Sequence, residues 1–180
     1  AGTFKRTGDD LVDSEKAIKL FKDDKENSEH MMLVDLARND LSRTCSNVKV
    51  EKDREIQFYS HVIHLVSKVT GELKSYSRDI IGSTFPAGTL SGAPKHMAMK
   101  LIEKYEQHNR SFYGGAIGFI GFDNEFNHAI MIRSFLSKNQ RLFLQAGAGV
   151  VSKSDPKNEL QEVYNKIGAL LKALEKAEEI

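Results

Sequence analysis

Residues 115–151 read GAIGFIGFDNEFNHAIMIRSFLSKNQRLFLQAGAGVV, and this stretch decides the fold class. It is rich in β-branched and aromatic residues, which suit a pleated, half-buried surface. Two polar pairs interrupt it, Asp123-Asn124 and Lys138-Asn139, whose short side chains favour turns. The pattern predicts two or three strands in succession, through 115–122, 127–136 and 141–151. From about Asp155 to the C-terminus an amphipathic helix follows, with Pro156 in its first turn, where a missing N–H costs nothing. That helix is expected to cover part of one sheet face.

Upstream the signals alternate. Asp13 or Ser14 is a candidate N-cap for a helix with Ala17, Ile18 and Phe21 on its apolar side. Helical spacing resumes over 29–41, where Met32, Leu33, Leu36 and Ala37 share a face. Val48 and Val50 alternate with Lys49 and Glu51, and 62–73 is rich in β-branched residues up to Gly71, so both read as strands. Residues 85–94 carry the Gly, Pro and hydroxyl content of a loop, and a helix is predicted from about 93 to 107 with Pro94 in its first turn. Helices thus segregate from a run of sequential strands, giving an α+β class with a mostly antiparallel sheet layered with helices.

With 40% hydrophobic and 28% charged residues among 180, the composition is that of a globular chain with a core. A net charge of +1 with no charged block gives no footprint for nucleic acid or a membrane surface. A lone cysteine, Cys45, excludes an internal disulfide framework and fits a reducing compartment; the expected location is cytoplasmic. The chain opens on Ala1-Gly2-Thr3 without an initiator Met, and is expected to be one segment, 1–180, of a longer polypeptide.

Two Glu-x-x-Glu pairs stand out, Glu26/Glu29 and Glu159/Glu162, with Lys166 four residues beyond the second. Carboxylates three apart are neighbours on a helix and repel unless a cation lies between them. Mg²⁺, a hard ion that takes a few carboxylates plus water and substrate oxygens, fits that need. The plain alternative is a solvated face with an ordinary Glu–Lys pair. Gly147-Ala148-Gly149 lets backbone amides approach an anion, or simply forms a tight strand exit. The loop with Thr89 and Ser91 lies ahead of a helix N-terminus, which also suits an anion. It lacks the Walker A pattern. Arg133 sits in an apolar run, where a buried guanidinium needs a carboxylate partner from protein or substrate. The Tyr113 hydroxyl is a donor for the same anion, or belongs to a core ring. Of His61 and His64, three apart beside a strand, at most one enters a shared site.

Specific strings carry more weight than spacing. They are Glu29-His30-Met31-Met32-Leu33-Val34-Asp35-Leu36-Ala37-Arg38-Asn39-Asp40-Leu41 and Tyr59-Ser60-His61-Val62-Ile63-His64-Leu65-Val66-Ser67, then residues 85–95. Tyr113-Gly114-Gly115-Ala116, Ile132-Arg133-Ser134 and Gln145-Ala146-Gly147-Ala148-Gly149-Val150-Val151 complete them. In this order over nearly the whole chain they resemble the chorismate-binding enzyme family, most closely its anthranilate synthase component I branch.

The resemblance implies the C-terminal part of the family's αββα sandwich, with the N-terminal half absent. It implies Glu26, Glu29, Glu159 and Glu162 as magnesium ligands holding the ring carboxylate of chorismate, and His64 as the catalytic histidine. Tyr113 and Arg133 match the groups that hold the enolpyruvyl carboxylate. Thr89, the Gly149 backbone and Lys166 match further substrate contacts, and Thr3 the edge of the ring site. The implied reaction joins chorismate with ammonia, delivered by a glutamine amidotransferase subunit, to give anthranilate and pyruvate.

Ser134, Lys153 and Ser111-Phe112 depart from the usual pattern without removing a proposed ligand. Two neighbouring branches compete. Aminodeoxychorismate synthases commonly carry Lys where Ala1 stands here, and isochorismate or salicylate synthases usually lack these forms of the 36–41 string and the 88–95 loop. A third alternative is a piece without turnover of its own.

Overall fold

The computed structural model describes residues 2–123, 125–152 and 154–179. Ala1, Asn124 and Lys153, which enter the branch comparison, the first turn and the departures above, lie outside them. The chain forms two compact units, 1–84 and 85–180.

The first unit holds β1 (Thr3–Lys5), α1 (Asp10–Lys22), α2 (Asp24–Ser42), β2 (Cys45–Phe58), β3 (Val62–Leu73) and α3 (Ser77–Thr84). The strands form one antiparallel sheet in the order β1-β3-β2. Leu20 and Ala17 of α1 pack on Ile63 and Leu65 of β3, with Phe4 and Ile56 against them. β3 occupies its predicted span. β2 is longer than the alternation at 48–51 suggested, because Asn47 and Arg54 adopt positive φ (51° and 49°) beside register shifts that break the period of two.

The N-cap of α1 is Asp9, not Asp13 or Ser14: its carboxylate accepts from the amides of Leu11 and Val12. Asp13 lies one turn inside, buried, where it accepts from Arg6 Nε at 2.8 Å, from Thr7 N and Oγ1 at 2.8 Å each, and from Gly8 N. The chain turn at 6–8 leaves these donors pointing inward, and only an acceptor one turn into the helix reaches them. The Thr7 amide, then the Arg6 guanidinium, hold the Asp13 carboxyl well below the usual carboxylate range. A depressed value means stability present above the unfolded carboxyl value of about 3.9 and lost as pH falls towards the folded one. Asp13→Asn should therefore melt several degrees lower at neutral pH. Its gap to the parent should narrow as pH falls below about 4, which thermal denaturation across pH measures.

The second unit holds α4 (Gly88–Ser91), α5 (Lys95–Tyr105), β4 (Ala116–Ile120), β5 (Phe126–Ile130), β6 (Leu136–Lys138), β7 (Arg141–Phe143) and α6 (Pro156–Glu178). β4 pairs with β5 and β6 with β7, both antiparallel. Asn139 and Gln140, with φ of 54° and 57°, link β6 to β7 as the two positive-φ residues a tight hairpin needs. α5 starts at Lys95, with Pro94 as its N-cap rather than in its first turn.

The predicted strand over 127–136 is divided. β5 stops at Ile130, Arg133 takes a φ of 51°, and pairing resumes at Leu136 with a different partner. The predicted strand over 141–151 ends at Phe143, since the small residues from Ala146 to Gly149 offer a neighbour little to pack on. α6 matches its prediction, capped by Asp155 through the amides of Lys157 and Asn158 with Pro156 in the first turn. The cover expected over a sheet face is not formed among the described residues of this unit: none of the helix is buried, and Leu160, Tyr164 and Leu171 stay exposed. The β4–β5 hairpin likewise leaves Ile117, Phe119 and Ile120 about 60–70% exposed among the described residues. Among the described residues no helix is long and apolar enough to cross a membrane.

Candidate active site

The first unit brings Thr3, Glu26 and His64 together. Ile63 and Leu65 turn into the core, so His64 between them faces the other side of β3. There it is the register partner of Thr3, whose Oγ1 stands 2.8 Å from His64 Nδ1. The Gly2 carbonyl lies 3.4 Å from the same nitrogen, and the Tyr59 ring meets the imidazole edge-on at 5.3 Å between centroids. His61 lies outside β3, exposed.

α2 starts five residues ahead of its predicted span, capped by Asp23 through the Glu26 amide, and this places both Glu26 and Glu29 in its first two turns. Glu26 is half-buried and accepts a hydrogen bond from the Thr3 amide; Glu29 is exposed. Burial first, and then the charge of Glu29, push the Glu26 carboxyl above its ordinary value. The Glu29 charge thus adds to the cost of ionising Glu26, and paired carboxylates are hard oxygen donors of the kind a divalent cation takes.

The second unit gathers Tyr113, Gly147, Glu162 and Lys166. Lys166 Nζ donates to Gly147 O at 2.9 Å and pairs with Glu162 Oε1 at 2.6 Å. A Cβ on Gly147 would come 3.4 Å from the Tyr113 hydroxyl, so glycine there lets the segment pass close to the ring. Gly114, with φ of 75°, donates to Met131 O, which anchors Tyr113 to the β4–β5 ladder. Glu159 lies three residues before Glu162 in the first turn of α6. A Cβ on Gly149 would meet nothing within 4 Å, so its backbone is open to approach. Thr89 is exposed in the single turn of α4.

Arg133 is not the buried strand residue that the apolar run suggested. It lies past the end of β5, exposed, and among the described residues no carboxylate pairs with it. Its left-handed backbone ends the ladder, and solvent removes the need for an internal partner.

Arg110 was missed. Its guanidinium binds Glu106 through Nε (2.9 Å to Oε2), reaches Leu90 O at 2.7 Å and lies 5.6 Å from the Tyr113 ring centroid. It thereby ties the α4 turn bearing Thr89 to Tyr113. The i,i+4 spacing from Glu106 was its one sequence signal.

Among the described residues no group of three His, Cys, Asp or Glu side chains is placed to hold a metal; Glu26 and Glu29 lie on α2, and Glu159 and Glu162 on α6. Carboxylate pairs are the kind of hard oxygen donor that magnesium takes.

Comparison with known proteins extends these findings. A family profile described as chorismate binding enzyme matches residues 1–172. Anthranilate synthase component 1 of Aquifex aeolicus is 46% identical over 183 aligned residues, which take in 99% of this chain and 37% of that protein. The crystal structure of anthranilate synthase component I from Streptococcus pneumoniae superposes with a TM-score of 0.83 at 44% identity, over 87% of this chain and 37% of its own. The menaquinone-specific isochorismate synthase of Escherichia coli superposes with a TM-score of 0.86 at 27% identity, over 94% and 40%. The chain thus spans between a third and a half of the length of each of these relatives.

Proposed function

The chain belongs to the chorismate-binding enzyme family, and we propose that it supplies the C-terminal catalytic portion of an anthranilate synthase component I. Identity along its whole length to proteins of that name carries this choice of branch. The substrates are then chorismate and ammonia, the products anthranilate and pyruvate. The designation of those relatives as component 1 supports a second component, which we take to be the glutamine amidotransferase that delivers ammonia.

In this reading Arg133 and Tyr113 hold the enolpyruvyl carboxylate, a task for which an exposed guanidinium is better placed than a buried one. The Gly149 amide, Thr89 and Lys166 make further substrate contacts, and Thr3 borders the ring. Glu26, Glu29, Glu159 and Glu162 would hold magnesium, which when bound supplies Lewis-acid polarisation at the ring carboxylate. The nitrogen of ammonia bonds to C2 while the C4 hydroxyl leaves, departing as water with the proton that nitrogen gives up. His64 then takes the C2 proton as the C3–O bond breaks. The ring aromatises, and the enolpyruvyl group leaves and takes up a proton to become pyruvate. The exposed β4–β5 face supports a catalytic sheet completed by chain outside these residues.

Product analysis tests the reading. The longer enzyme, given chorismate, Mg²⁺ and ammonia, should form anthranilate, detected by its fluorescence, and the His64→Gln enzyme should be slower by about a hundredfold or more. The 180-residue chain alone should turn over negligibly. Aminodeoxychorismate or isochorismate as the product would overturn the branch assignment.

A further inference from the structure

We propose that Arg110 is a positioning residue for the substrate: paired with Glu106, it holds the Thr89 turn against Tyr113 and so sets the spacing of two groups that bind one chorismate. The inference rests on the reading of Thr89 and Tyr113 as substrate contacts, and it names what fixes the distance between them.

Arg110 reaches each part of this arrangement directly. Its Nε and Nη2 both donate to the Glu106 carboxylate just past the end of α5, a forked pairing that suits a planar guanidinium. The guanidinium holds that carboxyl below its ordinary value, so the pair stays ionised at neutral pH. Nη1 then donates to Leu90 O at 2.7 Å, one residue beyond Thr89. The Arg110 carbonyl accepts from Tyr113 N at 2.9 Å, closing a tight turn in which Ser111 takes a φ of 52°. The guanidinium carbon itself lies 5.6 Å from the centre of the Tyr113 ring.

A second contact acts in the same direction. A Cβ on Gly114 would lie 3.6 Å from Leu90 Cδ1, so the Leu90 side chain rests against the backbone beside Tyr113. α4 is a single turn of 4 residues with no side-chain cap, too short to fix Thr89 by its own hydrogen bonds. Its anchor comes from 20 residues further along the chain, through Arg110. Neutralised by Glu106, Arg110 works by reach and not as a second cation, which leaves the enolpyruvyl carboxylate to Arg133 and Tyr113.

The test is steady-state kinetics of the longer enzyme with chorismate as the varied substrate. Arg110→Lys keeps a positive charge but loses the fork, and should raise KM by about tenfold to a hundredfold. Its kcat should hardly move, because the displaced contacts bind ground state and transition state alike. In the Thr89→Val enzyme the same Arg110→Lys change should raise KM much less, since the turn it holds has already lost its contact. Glu106→Gln should raise KM in the same direction. A KM that falls in Glu106→Gln would mean that the freed cation binds substrate itself, and would overturn the proposal. So would an unchanged KM in Arg110→Lys, or an equal effect of that change in both backgrounds. A merely structural Arg110 would lower the melting temperature and leave KM as it was. Parent KM values in both Thr89→Val and Tyr113→Phe would defeat the substrate reading itself, and those two variants distinguish that failure from a failure of Arg110 alone.

Discussion

Glu162→Gln in the longer enzyme should lower kcat/KM at limiting Mg²⁺ by about a hundredfold to a thousandfold while leaving the melting temperature nearly unchanged. The two halves of this expectation rest on different magnitudes. Glu162 and Lys166 form a partly exposed i,i+4 pair, worth roughly 0–1 kcal/mol to folding. The glutamine amide keeps the shape and can still accept from Lys166, and the Lys166–Gly147 bond does not involve Glu162 at all. On the proposed metal role, what the variant loses is the formal charge of one carboxylate ligand to a dication. Steady-state kinetics across a Mg²⁺ titration separates the two. Near-parent activity at limiting Mg²⁺ would remove Glu162 from the metal site, and a large fall in melting temperature would recast it as structural. Glu159→Gln should behave alike, since it occupies the same face one turn away.

Leu20→Ala should destabilise the first unit by about 3–4 kcal/mol, the largest stability effect expected of a single truncation here. Leu20 is fully buried against Ile63 and Leu65, with Ala17, Phe4 and Ile56 around it. Its removal takes away the buried methyl groups and leaves a cavity that a helix–sheet interface cannot close without moving β3. A domain's whole margin is about 5–15 kcal/mol, so a substantial part of it goes. Leu20→Met, which conserves volume, should cost less than about 1.5 kcal/mol. Urea unfolding of the three proteins measures the difference, and a Leu20→Ala cost below about 1 kcal/mol would show that the core repacks around the gap. The site depends on this packing too, because the side chains that flank His64 are the ones Leu20 supports.

Much of the architecture was legible before the fold. The terminal helix, with Asp155 and Pro156 at its start, and the strand over 62–73 are local features, decided by capping and by a period of two within a few residues. The motif strings, read as a resemblance, pointed to the chorismate-binding family, and the family match bears that out. Less legible were positions where local preference competes with distant partners. Asp13 has the chemistry of a cap, yet the donors of the 6–8 turn draw its carboxylate inside, and Asp9 caps instead. Arg133 follows an apolar run, yet a positive φ ends the strand before it.

The sequence by itself determined the α+β class, the family and the residue types available for chemistry, because these follow from short-range periodicity and recognisable strings. Only the tertiary structure decided which of those residues meet. Thr3 and His64 are 61 residues apart and become partners through one antiparallel register, which a slip of a single residue would undo. Glu26 of α2 joins them because the Thr3 amide reaches its carboxylate, 23 residues along the chain. Non-local pairing is set by packing and register together, and neither is written in any one stretch of the chain.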